Sequence, residues 1–210
     1  MWCCSPWLPC WSRNAKNDRV AQVRGILWPR CSTTCPMQKI RYLAYGSNLH
    51  PLRLGARVPS ARAVGVVEMR GYTLAFHKRS IDGSAKCLVY GDQARHHKTY
   101  GVVYELDARE KADLDRHEGV GNGYYEHNLE LQLNGEMCAP YLYLAEATHV
   151  DAGIVPYDWY KALVVAGARF HGFPAEYIAA IEAMPSQPDP DPGRARANAG
   201  LLRRIEPGEA

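Results

Sequence analysis

Hydrophobic and polar positions alternate with a period of two through the middle of the chain. Every second residue is apolar or aromatic across residues 100–106 and again across residues 129–133. This pattern is typical of β-strands that bury one face and leave the other in water. Segments of this kind predict about seven strands, at residues 40–45, 63–68, 72–76, 86–90, 99–106, 125–133 and 138–145.

A helical period replaces the strand pattern toward the carboxyl end. Tyr160, Leu163 and Val164 fall at positions i, i+3 and i+4, and Gly172 follows where a helix would end. Pro174 then suits the first turn of a second helix, because a proline there gives up no helical hydrogen bond. Two amphipathic helices are therefore expected to pack on the strands.

A shorter helix is predicted between two of the strands. Asp107 and Glu110 have the spacing of a capping box, and Gly119 is a suitable carboxyl-terminal stop. The helix would run from Ala108 to about His117. Strands, an inserted short helix, more strands and a helical end predict an α+β domain, built as a compact mixed β-barrel with flanking helices.

Both ends of the chain differ from this domain in composition. Residues 1–38 hold four of the five tryptophans and five of the seven cysteines, without a period of either kind. We expect this leader to contribute nothing to the core. It is either a targeting segment or lies upstream of a start at Met37. The folded domain is predicted at residues 39–185, and the proline-rich and arginine-rich residues 186–210 are predicted to be a disordered tail.

Charge and cysteine content exclude several classes of function. The 25 basic and 22 acidic residues leave a net charge of +3, too small to indicate nucleic acid or a membrane surface as partner. An odd, uneven set of cysteines is not a disulfide framework, and Cys31 and Cys35 lack a second pair at zinc spacing. We therefore expect no metal, no cofactor and a cytoplasmic location. The partner would be a small-molecule substrate, and the oligomeric state is left open.

The first candidate for chemistry is the abrupt end of the first strand. It reads Tyr-Leu-Ala-Tyr-Gly-Ser-Asn-Leu across residues 42–49. Gly46 would let a ligand approach the backbone, and the N–H groups of Ser47 and Asn48 could hold an anion if a helical turn follows. The alternative is a β-turn in which Asn48 caps its own backbone. Ser47 is not a candidate nucleophile, because it lacks the G-x-S-x-G frame.

The second candidate is Glu118, at the predicted end of the short helix. A glycine-rich bend follows it, with Gly119, Gly121 and Gly123 ahead of Tyr125. A carboxylate held beneath such a bend could serve as a general base. The alternative is an ordinary glutamate in water at the end of a helix.

Taken in this order and spacing, the two segments resemble the γ-glutamylcyclotransferase family. The second segment matches E-G-V-x-x-G-x-Y and follows the first by about seventy residues. The resemblance covers roughly residues 42–185 and includes the late helical run that begins at Pro156.

The resemblance implies a fold, a reaction and a set of site residues. The reaction would convert γ-glutamyl amino acids or amines to 5-oxoproline, as the substrate's α-amine attacks its own γ-carbonyl. Glu118 would be the general acid and base, and the loop would bind the substrate's α-carboxylate. The substrate-binding residues implied are Tyr42, Leu43, Ala44, Tyr45, Gly46, Ser47, Tyr125 and Tyr160.

One departure bears on the substrate. The glutathione-specific branch of the family reads Y-G-S-L, whereas this chain keeps Asn48 before Leu49, so intact glutathione is not the expected substrate. Two alternatives stay open. One is a non-catalytic binding or interaction module of the same fold, which the presence of Glu118 disfavours. The other is a related cyclotransferase with a different leaving group.

Overall fold

The computed structural model describes residues 38–91 and 97–205. Nine strands and five α-helices lie within these residues, so the predicted α+β class is confirmed. The strands are β1 (Lys39–Ala44), β2 (Arg62–Arg70), β3 (Tyr72–Arg79), β4 (Ala85–Gly91), β5 (Lys98–Asp107), β6 (Tyr124–Asn128), β7 (Leu131–Leu133), β8 (Glu136–Cys138) and β9 (Tyr141–Ala145). The helices are α1 (Pro51–Gly55), α2 (Lys111–Glu118), α3 (Asp158–Phe170), α4 (Ala175–Ala183) and α5 (Pro192–Ile205).

The main sheet is mixed and open. Its order is β2-β5-β1-β9-β6, and the central strand β1 is antiparallel to β5 and parallel to β9. The β3–β4 and β7–β8 pairs form separate two-stranded sheets. The expected mixed sheet with flanking helices is therefore confirmed, whereas "barrel" describes it only loosely, because β2 and β6 do not pair to close the sheet in the part of the chain that is described.

Two of the predicted strands are each divided in the structure. The segment at residues 125–133 separates into β6 and β7, and the segment at 138–145 breaks at Pro140, which has no N–H for a strand ladder. Asn134 and Gly135 connect β7 to β8 with positive φ angles of 51° and 88°. An Asn-Gly pair is the usual two-residue hairpin turn, so the sequence carried a signal for this hairpin.

The short helix begins and ends close to the predicted residues, but its capping differs. The Asp107 carboxylate accepts a hydrogen bond from the Arg109 N–H at 3.0 Å, as an N-cap should. Glu110 does not reach back to Asp107. It accepts from the Ser60 hydroxyl at 2.6 Å, while that hydroxyl oxygen accepts from the Asp107 N–H at 2.8 Å. The Ser60 hydroxyl therefore links Asp107 to Glu110, which do not bond to each other directly as in a capping box.

Helix α3 packs directly on the loop that follows β1. Leu163 and Val164 are fully buried along its inner face. A Cβ atom at Gly167 would lie 2.5 Å from the Leu49 Cβ atom, so only glycine permits this approach. The helix thereby fixes the position of the loop.

The prediction of a disordered tail is wrong for residues 192–205, which form α5. The Asp191 side chain accepts from the Gly193 N–H at 2.8 Å at the start of the helix. Ile205 packs with Leu163 and Ala166 of α3, and Leu201 and Leu202 lie beside them. Three apolar residues on one face are enough to hold α5 in place, because they pack on an apolar surface of α3.

The predicted leader at residues 1–38, with Met37, Cys31 and Cys35, lies outside the described residues except for Gln38. Among the described residues, no helix is long and apolar enough to cross a membrane.

Candidate active site

Glu118 is the last residue of α2, where the chain turns sharply. Gly119 adopts a left-handed conformation with φ 73°, and its N–H donates to the Asp115 carbonyl at 2.9 Å. Further along the bend, Gly123 has φ 105°, and a Cβ atom there would lie 2.9 Å from the Lys78 Cε atom. The glycines thus let the bend fold closely over its neighbours.

The loop after β1 forms a turn followed by a short helix. The Leu49 N–H donates to the Gly46 carbonyl at 3.0 Å, and α1 begins two residues later with the His50 side chain as its N-cap. Among the described residues, the Ser47 and Asn48 N–H groups have no backbone carbonyl as a partner. The helical turn expected after the loop is therefore present, and two N–H groups stay available for a ligand.

Gly46 is needed where it stands because β4 passes close to it. A Cβ atom at Gly46 would lie 3.0 Å from the Cys87 Cβ atom and 3.7 Å from the Tyr160 hydroxyl oxygen. Cys87 is buried, and burial raises the pKa of its thiol to about 12. The thiol is therefore protonated at neutral pH and packs as a small apolar group.

The loop and the helix end meet at the Glu118 carboxylate. Asn48 Nδ2 donates to Glu118 Oε1 at 2.9 Å, although the two residues are 70 positions apart in sequence. Arg57 Nη1 donates to the same oxygen at 2.5 Å and to Asn48 Oδ1 at 2.8 Å. Asn48 Nδ2 also lies 3.1 Å from the Tyr42 hydroxyl oxygen. The Asn48 side chain therefore bonds across the site, and Glu118, with 18% of its side chain exposed, is held rather than solvated.

Tyrosine hydroxyl groups surround the carboxylate. Tyr124 donates to the Cys87 carbonyl at 2.5 Å, and the Tyr160 oxygen accepts from the Cys87 N–H at 3.1 Å. Tyr45 donates to the carbonyl of Tyr143. Burial raises the pKa of Tyr45, Tyr124 and Tyr160 well above the usual value of 10. These hydroxyls are neutral at physiological pH and can orient a ligand but cannot act as anionic bases.

These groups line a narrow inner pocket that opens into a wider cleft. The enclosed part of the inner pocket measures about 20 Å³, and the adjoining cleft measures about 220 Å³. The two share Ser47, Glu118, Tyr124 and Tyr160, so the carboxylate stands at their junction. The inner pocket is lined by Tyr42, Tyr45, Gly46, Ser47, Asn48, Cys87, Glu118, Tyr124, Tyr143 and Tyr160.

Three residues expected at the site do not line this pocket. Leu43 and Ala44 are fully buried in the core of the sheet. Tyr125 is 45% exposed, because successive residues of β6 face opposite sides and it is the preceding residue, Tyr124, that faces the pocket. The structure does bring together Tyr42, Tyr45, Gly46, Ser47 and Tyr160 with Glu118.

Other residues of the site were not predicted to belong to it. Asn48 stood within the loop motif but was considered only for its N–H and its turn, and Tyr124 lay one residue from a predicted position. Tyr143 and Cys87 lie on strands whose alternation was visible, but alternation does not tell which face meets a pocket. Arg57 carries no local sequence signal, because its contact with Glu118 spans 61 positions.

A partly buried carboxylate, fixed by a cation and an amide at the mouth of a small polar pocket, is an arrangement suited to acid–base chemistry on a small molecule and is typical of an enzyme site. Comparison with known proteins agrees with this class. The AIG2-like family model matches residues 98–181. Human γ-glutamylcyclotransferase is 30% identical over 152 residues, covering 68% of this chain and 77% of the relative. The bovine protein of that name is 26% identical over 178 residues, covering 80% and 89%.

A solved structure named γ-glutamyl cyclotransferase has the same fold. Its TM-score is 0.68 at 23% identity, over 80% of this chain and 99% of the other. The chain belongs to the γ-glutamylcyclotransferase family of enzymes.

Proposed function

We propose that the protein is a γ-glutamylcyclotransferase. It converts γ-glutamyl amino acids or amines to 5-oxoproline and releases the free amino acid or amine. The observation that carries the proposal is the hydrogen bond of 2.9 Å from Asn48 to Glu118, which brings the loop and the acid–base candidate into one pocket. The names of the human and bovine relatives support the same reaction.

The reaction needs no nucleophilic side chain, because nucleophile and carbonyl belong to one molecule. The α-amine nitrogen forms a bond to the γ-carbonyl carbon, and the bond from that carbon to the leaving nitrogen breaks. Well-oriented intramolecular reactions reach effective molarities on the order of 10⁵ M or more. The main tasks of the site are to hold the folded substrate and to move two protons.

Glu118 is suited to move those protons through one of its oxygens. Oε1 accepts hydrogen bonds from both Asn48 and Arg57, whereas Oε2 accepts none from any described residue. The attacking nitrogen loses two protons as the α-ammonium group becomes the ring N–H, and the leaving nitrogen gains two as it departs as an ammonium group. Oε2 would therefore take these protons from the first nitrogen and pass them to the second. Arg57 and Asn48 fix the orientation of the carboxylate while this happens.

The loop and the tyrosines are suited to hold the γ-glutamyl part of the substrate. The N–H groups of Ser47 and Asn48 would bind its α-carboxylate, as anions are held by consecutive backbone N–H groups. The neutral hydroxyls of Tyr42, Tyr45 and Tyr160 would surround the rest of the chain. Of the binding residues implied by the resemblance, Leu43, Ala44 and Tyr125 take no part in this proposal.

A panel of γ-glutamyl amino acids, γ-glutamyl amines and glutathione, assayed for 5-oxoproline, tests the function. We expect 5-oxoproline and the free leaving group in equal amounts, with glutathione a poor substrate. A substrate acetylated on its α-amine should not react, because its nitrogen is no longer a nucleophile. Release of free glutamate would indicate a hydrolase, and binding without turnover would indicate a non-catalytic module.

A further inference from the structure

The wider cleft beside Glu118 is strongly basic. We call it the basic cleft, and define it by the four cations that line it, Arg53, Arg57, Lys78 and Lys86. Its lining contains only two carboxylates among the described residues, those of Asp82 and Glu118, so the cations are in excess by two.

Two of the four cations are paired with the two carboxylates. Arg57 Nη1 lies 2.5 Å from Glu118 Oε1. Lys86 Nζ lies 2.7 Å from Asp82 Oδ2 and 2.8 Å from the Ser84 hydroxyl oxygen. These pairs balance the charges of both carboxylates in the cleft, so the two remaining cations have no carboxylate partner of their own.

Lys78 is one of the two cations that remain. The residue is only 7% exposed, and its ammonium group has no hydrogen bond or ion pair with any described residue. Its Nζ atom lies 4.5 Å from the centre of the Tyr124 ring. Burial lowers the pKa of Lys78, an effect that Glu118 and Asp82 oppose. An unpaired ammonium group that lines a cleft beside the candidate acid–base carboxylate points to an anionic ligand.

Arg53 is the second unpaired cation of the basic cleft. Its Nε atom is buried without a hydrogen-bond partner, and the side chain forms no ion pair in the described part of the chain. Burial, with the neighbouring Arg57 charge, lowers the pKa of Arg53 to about 10. A guanidinium group with free donors is well matched to a carboxylate, which it can bind with two parallel hydrogen bonds.

We propose that the basic cleft binds the leaving group and selects leaving amino acids that carry a second carboxylate. The inference rests on the proposed function, in which the leaving nitrogen departs from beside Glu118, at the junction of pocket and cleft. The γ-glutamyl part of the substrate carries one positive and one negative charge, so its binding leaves the excess positive charge of the basic cleft unchanged. The two carboxylates of an acidic leaving amino acid would occupy both unpaired cations, whereas the single carboxylate of its amide counterpart would occupy one, so losing either cation should remove the preference.

Matched substrate pairs test the selection. γ-Glutamylglutamate differs from γ-glutamylglutamine, and γ-glutamylaspartate from γ-glutamylasparagine, by the second carboxylate and almost nothing in size. We expect kcat/KM to be about tenfold or more higher for the acidic member of each pair, with the difference falling at high salt. Equal values within each pair would overturn the proposal, while the formation of 5-oxoproline from all four would leave the proposed function standing.

Variants of Lys78 and Arg53 test whether these two cations are the source of the preference for acidic leaving groups. In Lys78→Met and Arg53→Gln we expect the ratio of kcat/KM between acidic and amide substrates to fall about tenfold, whereas Lys78→Arg should keep it. Lys98→Met and Arg116→Gln remove the same charge from exposed ion pairs outside the cleft and should leave the ratio unchanged. A ratio that is the same in all five variants and in the original protein would contradict the assignment to this cleft.

Direct binding separates this inference from the chemistry. A Glu118→Gln protein titrated calorimetrically with γ-glutamylglutamate and γ-glutamylglutamine should bind the acidic compound more tightly. Introducing Lys78→Met should remove that difference. Preferential binding without 5-oxoproline in the unaltered protein would defeat the proposed function but support the anionic subsite, and equal binding would defeat the subsite.

Discussion

The two oxygens of the Glu118 carboxylate have different surroundings. Oε1 receives both hydrogen bonds, from Arg57 at 2.5 Å and from Asn48 at 2.9 Å, while Oε2 faces none of the described donors. Fixing one oxygen orients the other, so the oxygen proposed to transfer protons is positioned without being occupied. Two nearby acids are less suited, because Asp115 and Glu126 are both bonded to Lys111 and neither lines the pocket.

At the residue scale, replacing Glu118 with glutamine should separate binding from chemistry. Glutamine keeps the size of the side chain but cannot accept and return a proton. Because positioned acid–base catalysis contributes about 10²- to 10⁴-fold, kcat should fall at least that far with only a modest change in KM. Steady-state assays of 5-oxoproline formation measure both constants. Glu126→Gln is the control and should stay near the original activity, and the reverse outcome would show that the acid–base residue is misassigned.

Gly46 gives a second test at this scale, since an added side chain would crowd its neighbours. Gly46→Ala places a methyl group 3.0 Å from the Cys87 Cβ atom, so the loop or β4 must shift. Overpacking of this kind costs about 1–3 kcal/mol of stability, and we expect kcat/KM to fall as well. Gly55→Ala is the matched control, because nothing lies within 4 Å of its added methyl group. Urea unfolding and substrate assays of both variants check the expectation, which equal behaviour would contradict.

At the scale of elements, local patterns located most of the fold. Strand β5 was found from the alternation of its apolar residues, although the expected exposed face is wrong for it, because Val102, Val103 and Tyr104 are all buried and both faces of the strand are covered there. Helix α5 was missed, because its composition is rich in alanine and arginine and its apolar face is stable only when α3 is present to cover it. The surface that stabilises α5 belongs to α3, so the local sequence of α5 does not predict the helix by itself.

The candidate site divides in the same way between local and distant contacts. Glu118 and the Gly46 turn could be found because each lies in a short motif with its own glycine geometry. Arg57 could not, because it meets Glu118 only once α1 and α2 have been brought together across 61 positions. Tyr125 was chosen in place of Tyr124 because a shift of one residue on a strand reverses the face.

The packing of α5 on α3 can be tested by one truncation. Ile205→Ala removes a buried side chain that contacts Leu163 and Ala166. We expect the free energy of unfolding to fall by about 2 kcal/mol, toward the low end for such changes because Ile205 lies at the end of the helix. Arg204→Ala, an exposed neighbour on the same turn, should be close to neutral. If chemical denaturation finds the two variants alike, α5 does not contribute to the stability of the domain.

At the scale of the whole molecule, the sheet gathers site residues from distant parts of the chain. The central strand β1 carries the binding loop at its end, α2 carries Glu118, and α3 carries Tyr160. The β3–β4 sheet supplies Lys78 and Lys86 to the basic cleft. The proposed chemistry and the proposed selection come from different elements. The leaving-group preference could therefore change through Lys78 of β3 and Arg53 of α1 while the loop after β1 and Glu118 of α2 stay the same.

The same distribution leads to a prediction about the leader. Every residue assigned to the pocket and the basic cleft lies between Tyr42 and Tyr160, and the helix that packs on α3 ends at Ile205. A chain that begins at Met37 keeps all of these residues. We therefore expect it to fold, with a kcat/KM for γ-glutamyl substrates within about twofold of the full chain and an unfolding midpoint close to it. Side-by-side thermal unfolding and 5-oxoproline assays of the two chains provide the measurement. Loss of solubility or of most of the activity would mean that residues before Met37 are part of the functional domain, and the predicted boundary would then have to move toward the amino terminus.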